Sequence, residues 1–250
     1  MTDLSAPLNW YQSTNKPYTI VARPELAGEV TAEWFEPEYW QKSEAVTGLS
    51  HGRFITYFVA RTLNTGTSLN MVLRHYYRGG LVQKISKDRF VYTGLEKTRS
   101  IAELKMLEQM RELALPVPKP LAARVERVGL LQYRNDILIE TIPGTKDGFK
   151  ILKKNKLSSK TWFNIGTTIR RFHDQGVFHS DLNIHNILID KNDCIHVIDF
   201  DRCEFRNQAD DWKKQNLQRL QRSLLKEKGL HSDFNYTTKD WQQLMAGYNS

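Results

Sequence analysis

The chain has 250 residues, of which 40% are hydrophobic, and this is enough for one large domain or for two lobes. Its net charge of +8 and pI near 9.4 favour contact with an anionic partner such as a nucleotide, a nucleic acid, a phosphorylated substrate or an acidic membrane surface. Because no long apolar run occurs, the sequence argues against a secretory signal or a membrane-spanning helix and predicts a cytoplasmic location.

A glycine-containing turn is predicted at residues 48–53, before a strand-like run at residues 54–59. Gly48 and Gly52 would let backbone amides approach phosphate groups closely. The full GxGxxG pattern is absent, and an ordinary hairpin turn is the alternative interpretation.

A second strand is predicted at residues 69–77, and it contains a basic residue, Arg74. Arg74 and Lys84 are the two candidates for a cation that contacts nucleotide phosphates. A guanidinium binds phosphate through two parallel hydrogen bonds and does not replace an ammonium group one for one, so both candidates stay open. The alternative for Arg74 is a strand residue that faces solvent.

Residues 100–115 have the apolar spacing of a helix. Glu103 lies three and four residues before Met106 and Leu107, which places it near the buried side of that helix. A carboxylate there needs a cation, and Arg74 or Lys84 would supply one. The alternative is a glutamate at the helix start that the helix dipole favours.

A proline-rich segment at residues 115–120 ends this helix, and a buried strand at residues 136–140 leads into Thr141–Gly144. We expect a lobe boundary here, with residues 1–140 forming an N-terminal extension and a β-rich nucleotide-binding lobe. Residues 141–250 would form a helical catalytic lobe with a basic C-terminal helix. The backbone from Glu140 to Ile142 is expected to hydrogen-bond the adenine edge of a nucleotide.

A core helix is predicted at residues 160–175, because Trp162, Ile165, Ile169 and Phe172 recur at helical spacing. This stripe predicts packing rather than a cofactor site. The helix leads directly into residues 177–179 and is expected to support the loop that follows.

That loop carries the main chemical signal of the chain. Asp181 precedes Asn186 by five positions, and Asn186 precedes Asp199 by thirteen, with a predicted hairpin between the last two. Asp181 is predicted to take the proton from an attacking hydroxyl, while Asn186 and Asp199 supply hard oxygen ligands for Mg²⁺ against nucleotide phosphates. The alternative is an Asx-rich turn without chemistry. His179 and His185 are expected to hold the loop rather than to transfer protons.

The order of these elements resembles that of the protein-kinase superfamily. Within it, five runs closely resemble the Kdo kinase family of bacterial lipopolysaccharide core kinases: residues 72–81, 92–95, 98–103, 115–118 and 199–202. The resemblance extends from about Trp34 to Ser223. Departures from protein kinases are Arg74 in place of lysine, Phe200-Asp201 where Phe-Gly is usual, and no Ala-Pro-Glu segment.

The resemblance implies a bilobal α+β fold of the protein-kinase type, with a β-rich N-lobe and a shortened, mainly helical C-lobe. It also implies phosphorylation by ATP, with Mg²⁺, of the 4-hydroxyl of a 3-deoxy-octulosonic acid (Kdo) sugar attached to lipid A. Asp201 would be a supporting residue or an additional metal ligand. The rival functions are another small-molecule kinase, such as an antibiotic phosphotransferase, and a non-catalytic basic protein that binds nucleic acid. No nucleic acid is expected as a partner under the kinase interpretation.

Basic residues are also candidates for contacts with phosphorylated lipid A or with the anionic inner face of the membrane: Arg78, Arg89, Lys213, Arg219 and Arg222. The last three accompany a predicted helical stripe of Leu217, Leu220 and Leu224. This predicts a peripheral position on the cytoplasmic face of the inner membrane. The alternative is a solvated charged face without a ligand.

Overall fold

The computed structural model describes residues 9–51, 54–78 and 87–250, and contacts divide the chain into two units. The first unit spans residues 1–109 and 119–141, and the second spans residues 110–118 and 142–250. The observed division therefore differs from the predicted one at residues 110–118, which belong to the second unit, and at Thr141, which belongs to the first. This segment packs in the second unit because Leu115 and Val117 are buried and Pro116 O accepts a hydrogen bond from Val197 N at 3.0 Å.

An antiparallel sheet of eight strands dominates the described part of the first unit. Its strand order is β1-β2-β7-β8-β5-β4-β3, and β6 pairs with β8. The strands are β1 (Tyr11–Asn15), β2 (Tyr18–Ala22), β3 (Val46–His51), β4 (Ile55–Thr62), β5 (Ser68–His75), β6 (Phe90–Val91), β7 (Pro120–Val128) and β8 (Gln132–Glu140). The strands predicted at residues 54–59, 69–77 and 136–140 are confirmed as parts of β4, β5 and β8, whereas β1, β2 and β7 were not predicted.

The N-terminal segment covers this sheet with aromatic side chains. Short 3₁₀ helices at Pro24–Leu26 and Ala32–Phe35 and the helix α1 (Pro37–Lys42) place Trp34, Phe35 and Trp40 in one buried cluster with Met71 and Leu138. Burial of each large apolar side chain stabilises the fold by on the order of 2–3 kcal/mol. The extension is therefore an integral part of the first hydrophobic core.

The sequence expectation for Gly48 was wrong in its local structure. Gly48 lies inside β3 and pairs with Phe58 of β4, instead of lying in the turn after it. The pairing register shifts between Val46 and Gly48, which is a bulge. Glycine inside a strand commonly marks such an irregularity, because it has no side chain to pack.

The second unit contains four helices and several short strands in the described residues. The helices are α3 (Gly148–Leu152), α4 (Ser159–Asp174), α5 (Asp210–Leu230) and α6 (Thr238–Tyr248). A further helix, α2 (Arg99–Glu112), belongs to the first unit up to Gln109, and its last three residues are assigned to the second. The strands are β9 (Lys146–Asp147), β10 (Val177–Phe178), β11 (Ile187–Ile189), β12 (Ile195–Val197) and β13 (Glu204–Phe205).

Helix α4 is the central support of the second unit. Its predicted stripe of Trp162, Ile165, Ile169 and Phe172 is buried, so the packing interpretation is confirmed. The α4 and α6 backbones approach so closely that a Cβ on Gly166 would lie 1.9 Å from Leu244 O. The leucines at 217, 220 and 224 of α5 are also buried, and that stripe therefore belongs to the core.

Candidate active site

The predicted hairpin is present and joins two of the candidate residues. Ile187 of β11 pairs with Val197 of β12 in an antiparallel register. One step beyond that pair, Ile198 N donates to Asn186 O at 3.0 Å. Asn186 directly precedes β11 and Asp199 follows β12, so the two residues lie at the same edge of this small sheet, as the sequence predicted.

Asp181 lies in the loop between β10 and β11, and its carboxylate faces solvent. Its side chain is 61% exposed. Asn183 Nδ2 donates to Asp181 Oδ2 at 3.1 Å, and Arg219 Nη1 donates to Asp181 Oδ1 at 3.2 Å. Each carboxylate oxygen can accept about two hydrogen bonds. One incoming hydroxyl can therefore still reach either oxygen.

The orientation of the Asn186 amide is fixed by its neighbour. Asn186 Nδ2 donates to the carbonyl oxygen of Asp181 at 3.0 Å. Since a carbonyl oxygen only accepts, the nitrogen must be on that side of the amide, and Oδ1 is turned away from it. Asn186 is buried, so this orientation also ties Asp181 and Asn186 together as one rigid piece.

His179 holds the loop to the segment that carries Asp199. Its Nδ1 accepts a hydrogen bond from Asp181 N at 3.1 Å, and its Nε2 donates to Ile198 O at 3.0 Å. These two contacts require a neutral ring with the proton on Nε2. Burial lowers the pKa of His179, so the ring stays neutral at physiological pH. The contacts support the predicted structural role.

Asp199 has an unusual backbone conformation, with φ at 66°. A non-glycine residue in this left-handed region costs about 1–3 kcal/mol and persists only where its surroundings impose it. Phe200 supplies that constraint, because it is buried and its ring lies 5.8 Å from Phe172 and 4.8 Å from His179. The packed ring anchors the chain directly after the Asp199 carboxylate.

Ser180 and Asp201 connect the same two segments a second time. Ser180 Oγ donates to Asp201 O at 2.8 Å, and Ser180 N donates to Cys203 Sγ at 3.2 Å. The main chain of Asp201 therefore has a structural role. Its predicted role as a supporting side chain or additional metal ligand stays a prediction.

Helix α5 carries a polar stripe that the sequence analysis did not identify. Asn216 accepts from His179 N at 3.1 Å and donates to His179 O at 2.8 Å. Further along, Ser223 Oγ accepts from Ile184 N at 3.3 Å. Arg219 lies between these two positions and reaches Asp181. Polar residues at positions 216, 219, 223 and 227 beside the leucine stripe were the signal that could have revealed this face.

In the first unit, Arg74 pairs with Glu103. Arg74 Nη2 donates to Glu103 Oε2, and Tyr76 OH donates to the same oxygen at 2.6 Å. Glu103 is buried on α2, as the helical spacing predicted. Burial and the nearby Glu103 carboxylate raise the pKa of Tyr76 well above its ordinary value, so the phenol remains a donor.

The remaining nucleotide-binding candidates are only partly described. Gly52 and Lys84 lie outside the described residues, as does the family-like run at 79–81. Glu140 N donates to Lys119 O at 2.8 Å. Ile142 O accepts from Thr145 Oγ1 at 2.8 Å. The adenine contacts expected here stay a prediction.

The basic candidates occupy different environments. Arg89 and Arg222 are exposed, and Arg78 is half-buried with its guanidinium 5.5 Å from the centre of the Phe90 ring. Lys213 is also half-buried, and its Nζ lies 5.9 Å from the centre of the Trp212 ring. Arg219 differs from them, because it contacts the predicted catalytic loop.

The donor set fits a magnesium ion. Among the described residues, no group of three or more His, Cys, Asp or Glu is arranged to hold a metal. Mg²⁺, however, commonly uses one or two carboxylates together with substrate phosphates and water. The Asn186 Oδ1 and the Asp199 carboxylate are hard oxygen donors at one edge, and hydrogen bonding already turns the amide oxygen away from the loop.

Comparisons with known proteins agree with this architecture. The model of the lipopolysaccharide kinase (Kdo/WaaP) family matches residues 37–248. A relative from Actinobacillus succinogenes, named 3-deoxy-D-manno-octulosonic acid kinase, is 43% identical over 220 residues, covering 87% of this chain and 90% of the relative. Relatives with the same name are 41% identical in Photobacterium damsela subsp. piscicida, covering 90% of this chain and 91% of the relative, and 43% identical in Haemophilus influenzae, covering 88% and 92%.

A solved structure shows the same fold. WaaP in complex with acyl carrier protein matches with a TM-score of 0.51 at 15% sequence identity, covering 86% of each chain. This likeness confirms the predicted α+β, kinase-like fold. At this level of identity it bears on the fold alone.

Proposed function

The chain belongs to the lipopolysaccharide kinase (Kdo/WaaP) family, and from that membership we propose that it uses ATP and Mg²⁺ to phosphorylate the 4-hydroxyl of Kdo attached to lipid A. The family itself makes the chain a phosphotransferase with a hydroxyl group as acceptor. The observation that carries the mechanism is that Asn186 hydrogen-bonds both the carbonyl oxygen of Asp181 and the amide of Ile198, the residue directly before Asp199.

Asp181 is the proposed base for the acceptor hydroxyl. Its carboxylate is exposed to solvent, and each oxygen retains acceptor capacity beside its present donor. The proton of the hydroxyl would pass to one of these oxygens as the sugar oxygen attacks the γ-phosphorus of ATP, and the bond between that phosphorus and the bridging oxygen of ADP would break. His179 and Asn186 hold the loop so that this carboxylate keeps its position, and phosphoryl transfer depends largely on such positioning.

Asn186 Oδ1 and the Asp199 carboxylate would hold Mg²⁺. The ion supplies charge neutralisation on the nucleotide phosphates when it is bound. Two observations support this proposal: Asn186 is buried, and the residue after Asp199, Phe200, is buried against Phe172.

Arg74 is the proposed cation for the phosphates on the first unit, with Lys84 as the alternative. Glu103 and Tyr76 restrict the Arg74 guanidinium on one side, as an orienting acid should. Gly52, Glu140 and Ile142 are proposed to provide backbone contacts to the nucleotide. Gly48 is not among them, because it lies inside β3 and pairs with Phe58 of β4.

Peripheral binding to the inner membrane surface is part of the proposal. In the described part of the chain, no helix combines the length and apolar composition needed to cross a bilayer. Helix α5 exposes Leu225 near Arg222, and each basic residue near an anionic surface contributes roughly 1 kcal/mol. Arg78, Arg89 and Lys213 are proposed to add to this attraction. Sedimentation with anionic vesicles should fall as salt rises, and binding that ignores ionic strength would exclude it.

The function is tested by incubating the protein with radiolabelled ATP, Mg²⁺ and a Kdo-bearing lipid A, followed by mapping of the labelled hydroxyl. We expect label on the 4-hydroxyl of Kdo, and no label when Mg²⁺ is chelated. A lipid A without Kdo is the matched acceptor control. Label on the lipid A of that control, or label elsewhere on Kdo, would contradict the proposed specificity.

A further inference from the structure

Arg219 is the cation nearest to the proposed base in the described residues of the second unit. Its Nη1 donates to Asp181 Oδ1 at 3.2 Å, and 46% of its side chain is exposed. A guanidinium has five N–H donors in a planar fork. The contact with Asp181 uses one of them, so donors remain for a second anion beside the carboxylate.

Helix α5 fixes the backbone position of Arg219 next to the loop. Asn216 and Ser223 lie three residues before and four residues after it on α5, and both are hydrogen-bonded to the loop. Leu220 is fully buried and holds the same turn to the core. The helix therefore presents the guanidinium to the loop from a fixed backbone.

The chemistry of the proposed acceptor matches these free donors. The relatives are named for an octulosonic acid, which is a sugar with a carboxylate. An acid group on the same ring as the reacting hydroxyl must come close to Asp181 whenever that hydroxyl does. Two carboxylates at close range repel each other unless a cation lies between them.

We propose that Arg219 binds the carboxylate of the acceptor sugar while it contacts Asp181, and so selects an acidic sugar as substrate. This assignment rests on the proposed function and names the group that would give it specificity. A carboxylate of this sugar fits better than a lipid A phosphate, because the carboxylate is on the same ring as the reacting hydroxyl and so comes close to a guanidinium that contacts the base. The planar fork of arginine suits such paired contacts.

The test compares two acceptors, Kdo-lipid A and the same molecule with its Kdo carboxylate converted to a methyl ester. For the wild type, we expect kcat/KM to be about 10- to 100-fold lower for the ester, the range of a hydrogen-bonded charge contact. In the variant Arg219→Gln, kcat/KM for the acid should fall by about the same factor relative to the wild type. Its kcat/KM for the ester should stay close to the wild-type value for the ester. Arg219→Lys should keep part of the preference, because it keeps the charge but loses the fork.

Lys160→Gln is the matched control, because Lys160 is an exposed cation on α4. It should keep the acid preference of the wild type. Circular dichroism and the Kd for ATP check that each variant is folded. An Arg219→Gln variant that lowers both acceptors by the same factor would overturn the assignment, since the guanidinium would then act only on Asp181. A wild type that phosphorylates neither acceptor would overturn the proposed function, and the assignment with it.

Discussion

Each of the two units contains an ion pair between candidate residues, and the two pairs differ in burial. In the first unit, Arg74 and Glu103 have side chains that are 21% and 2% exposed. In the second, Arg219 and Asp181 are 46% and 61% exposed. Tyr76 adds a third hydrogen-bonding group to the buried pair, whereas the exposed pair meets solvent on both sides.

Burial decides what each pair can do. Removing one partner of a buried pair leaves a buried charge without a partner, so separating the two residues costs several kcal/mol. An exposed pair contributes only about 0–1 kcal/mol, because water replaces either partner. Arg74 and Glu103 are therefore suited to hold a fixed geometry, whereas Arg219 and Asp181 are accessible to an incoming acceptor.

The largest expected effect follows from removing the charge of the exposed carboxylate. Asp181→Asn should lower kcat by about 100- to 10,000-fold, the usual contribution of a general base, while ATP binding is retained. Steady-state kinetics and calorimetry with ATP and Mg²⁺ measure the two quantities. Asp174→Asn, an exposed aspartate on α4, should leave kcat unchanged. A wild-type rate for Asp181→Asn would exclude its role as the base.

Removing the charge of the buried carboxylate should lower the stability of the fold. Glu103→Gln removes the charge that Arg74 and Tyr76 share, and we expect the free energy of unfolding to fall by about 3–5 kcal/mol. Glu112→Gln is the matched control, because Glu112 is an exposed glutamate on the same helix. Urea unfolding of the two variants measures the difference. Equal losses would show that burial of Glu103 does not govern this pair.

The buried histidine of α4, His173, predicts that the stability of the fold depends on pH. His173 donates or accepts at Tyr248 OH, 2.8 Å away, and burial lowers its pKa to about 4 from an ordinary 6.5. In the unfolded chain, His173 takes up a proton as the pH falls below 6.5. In the folded protein, it does so only near pH 4. Stability should therefore be lost as pH falls from 6.5 to 4, by up to about 3 kcal/mol.

The variant His173→Gln isolates this contribution. It should be less stable than the wild type at pH 7.5, because it loses the packing of the ring, but its stability should fall less steeply between pH 6.5 and 4. Burial also lowers the pKa of His179, so part of the slope remains. Parallel curves for the two proteins across this window would show that His173 does not cause the dependence.

The sequence predicted local features of the site well, because these depend on spacing. The hairpin of β11 and β12 has turn residues between two short apolar runs, and Glu103 was placed by helical periodicity alone. The choice of Arg74 as its partner could not be made from spacing, since Lys84 satisfied the same requirement. The structure shows the pair with Arg74, and Lys84 lies outside the described residues.

Features that depend on distant parts of the chain were not predicted. Strand β2 pairs with β7, which lies about 100 residues further along, and no local pattern encodes that choice. Gly48 was assigned to a turn from its composition, whereas neighbouring strands placed it in β3. The contact between Arg219 and Asp181 spans 38 positions and was hidden among the charges of a basic helix.

The smallest expected effect is on the stability of the exposed pair. Arg219→Gln should change the free energy of unfolding by no more than about 0.5 kcal/mol, because solvent replaces the guanidinium at Asp181 Oδ1 and Asn183 still donates to Oδ2. The same variant is expected to lose the acid preference in catalysis, so activity and stability would separate at this residue. Urea unfolding of Arg219→Gln and Glu103→Gln, each against the wild type, measures the two losses in the free energy of unfolding. A loss for Arg219→Gln as large as that for Glu103→Gln would mean that Arg219 is needed to hold the loop together, and that its effect on catalysis cannot be separated from its effect on folding.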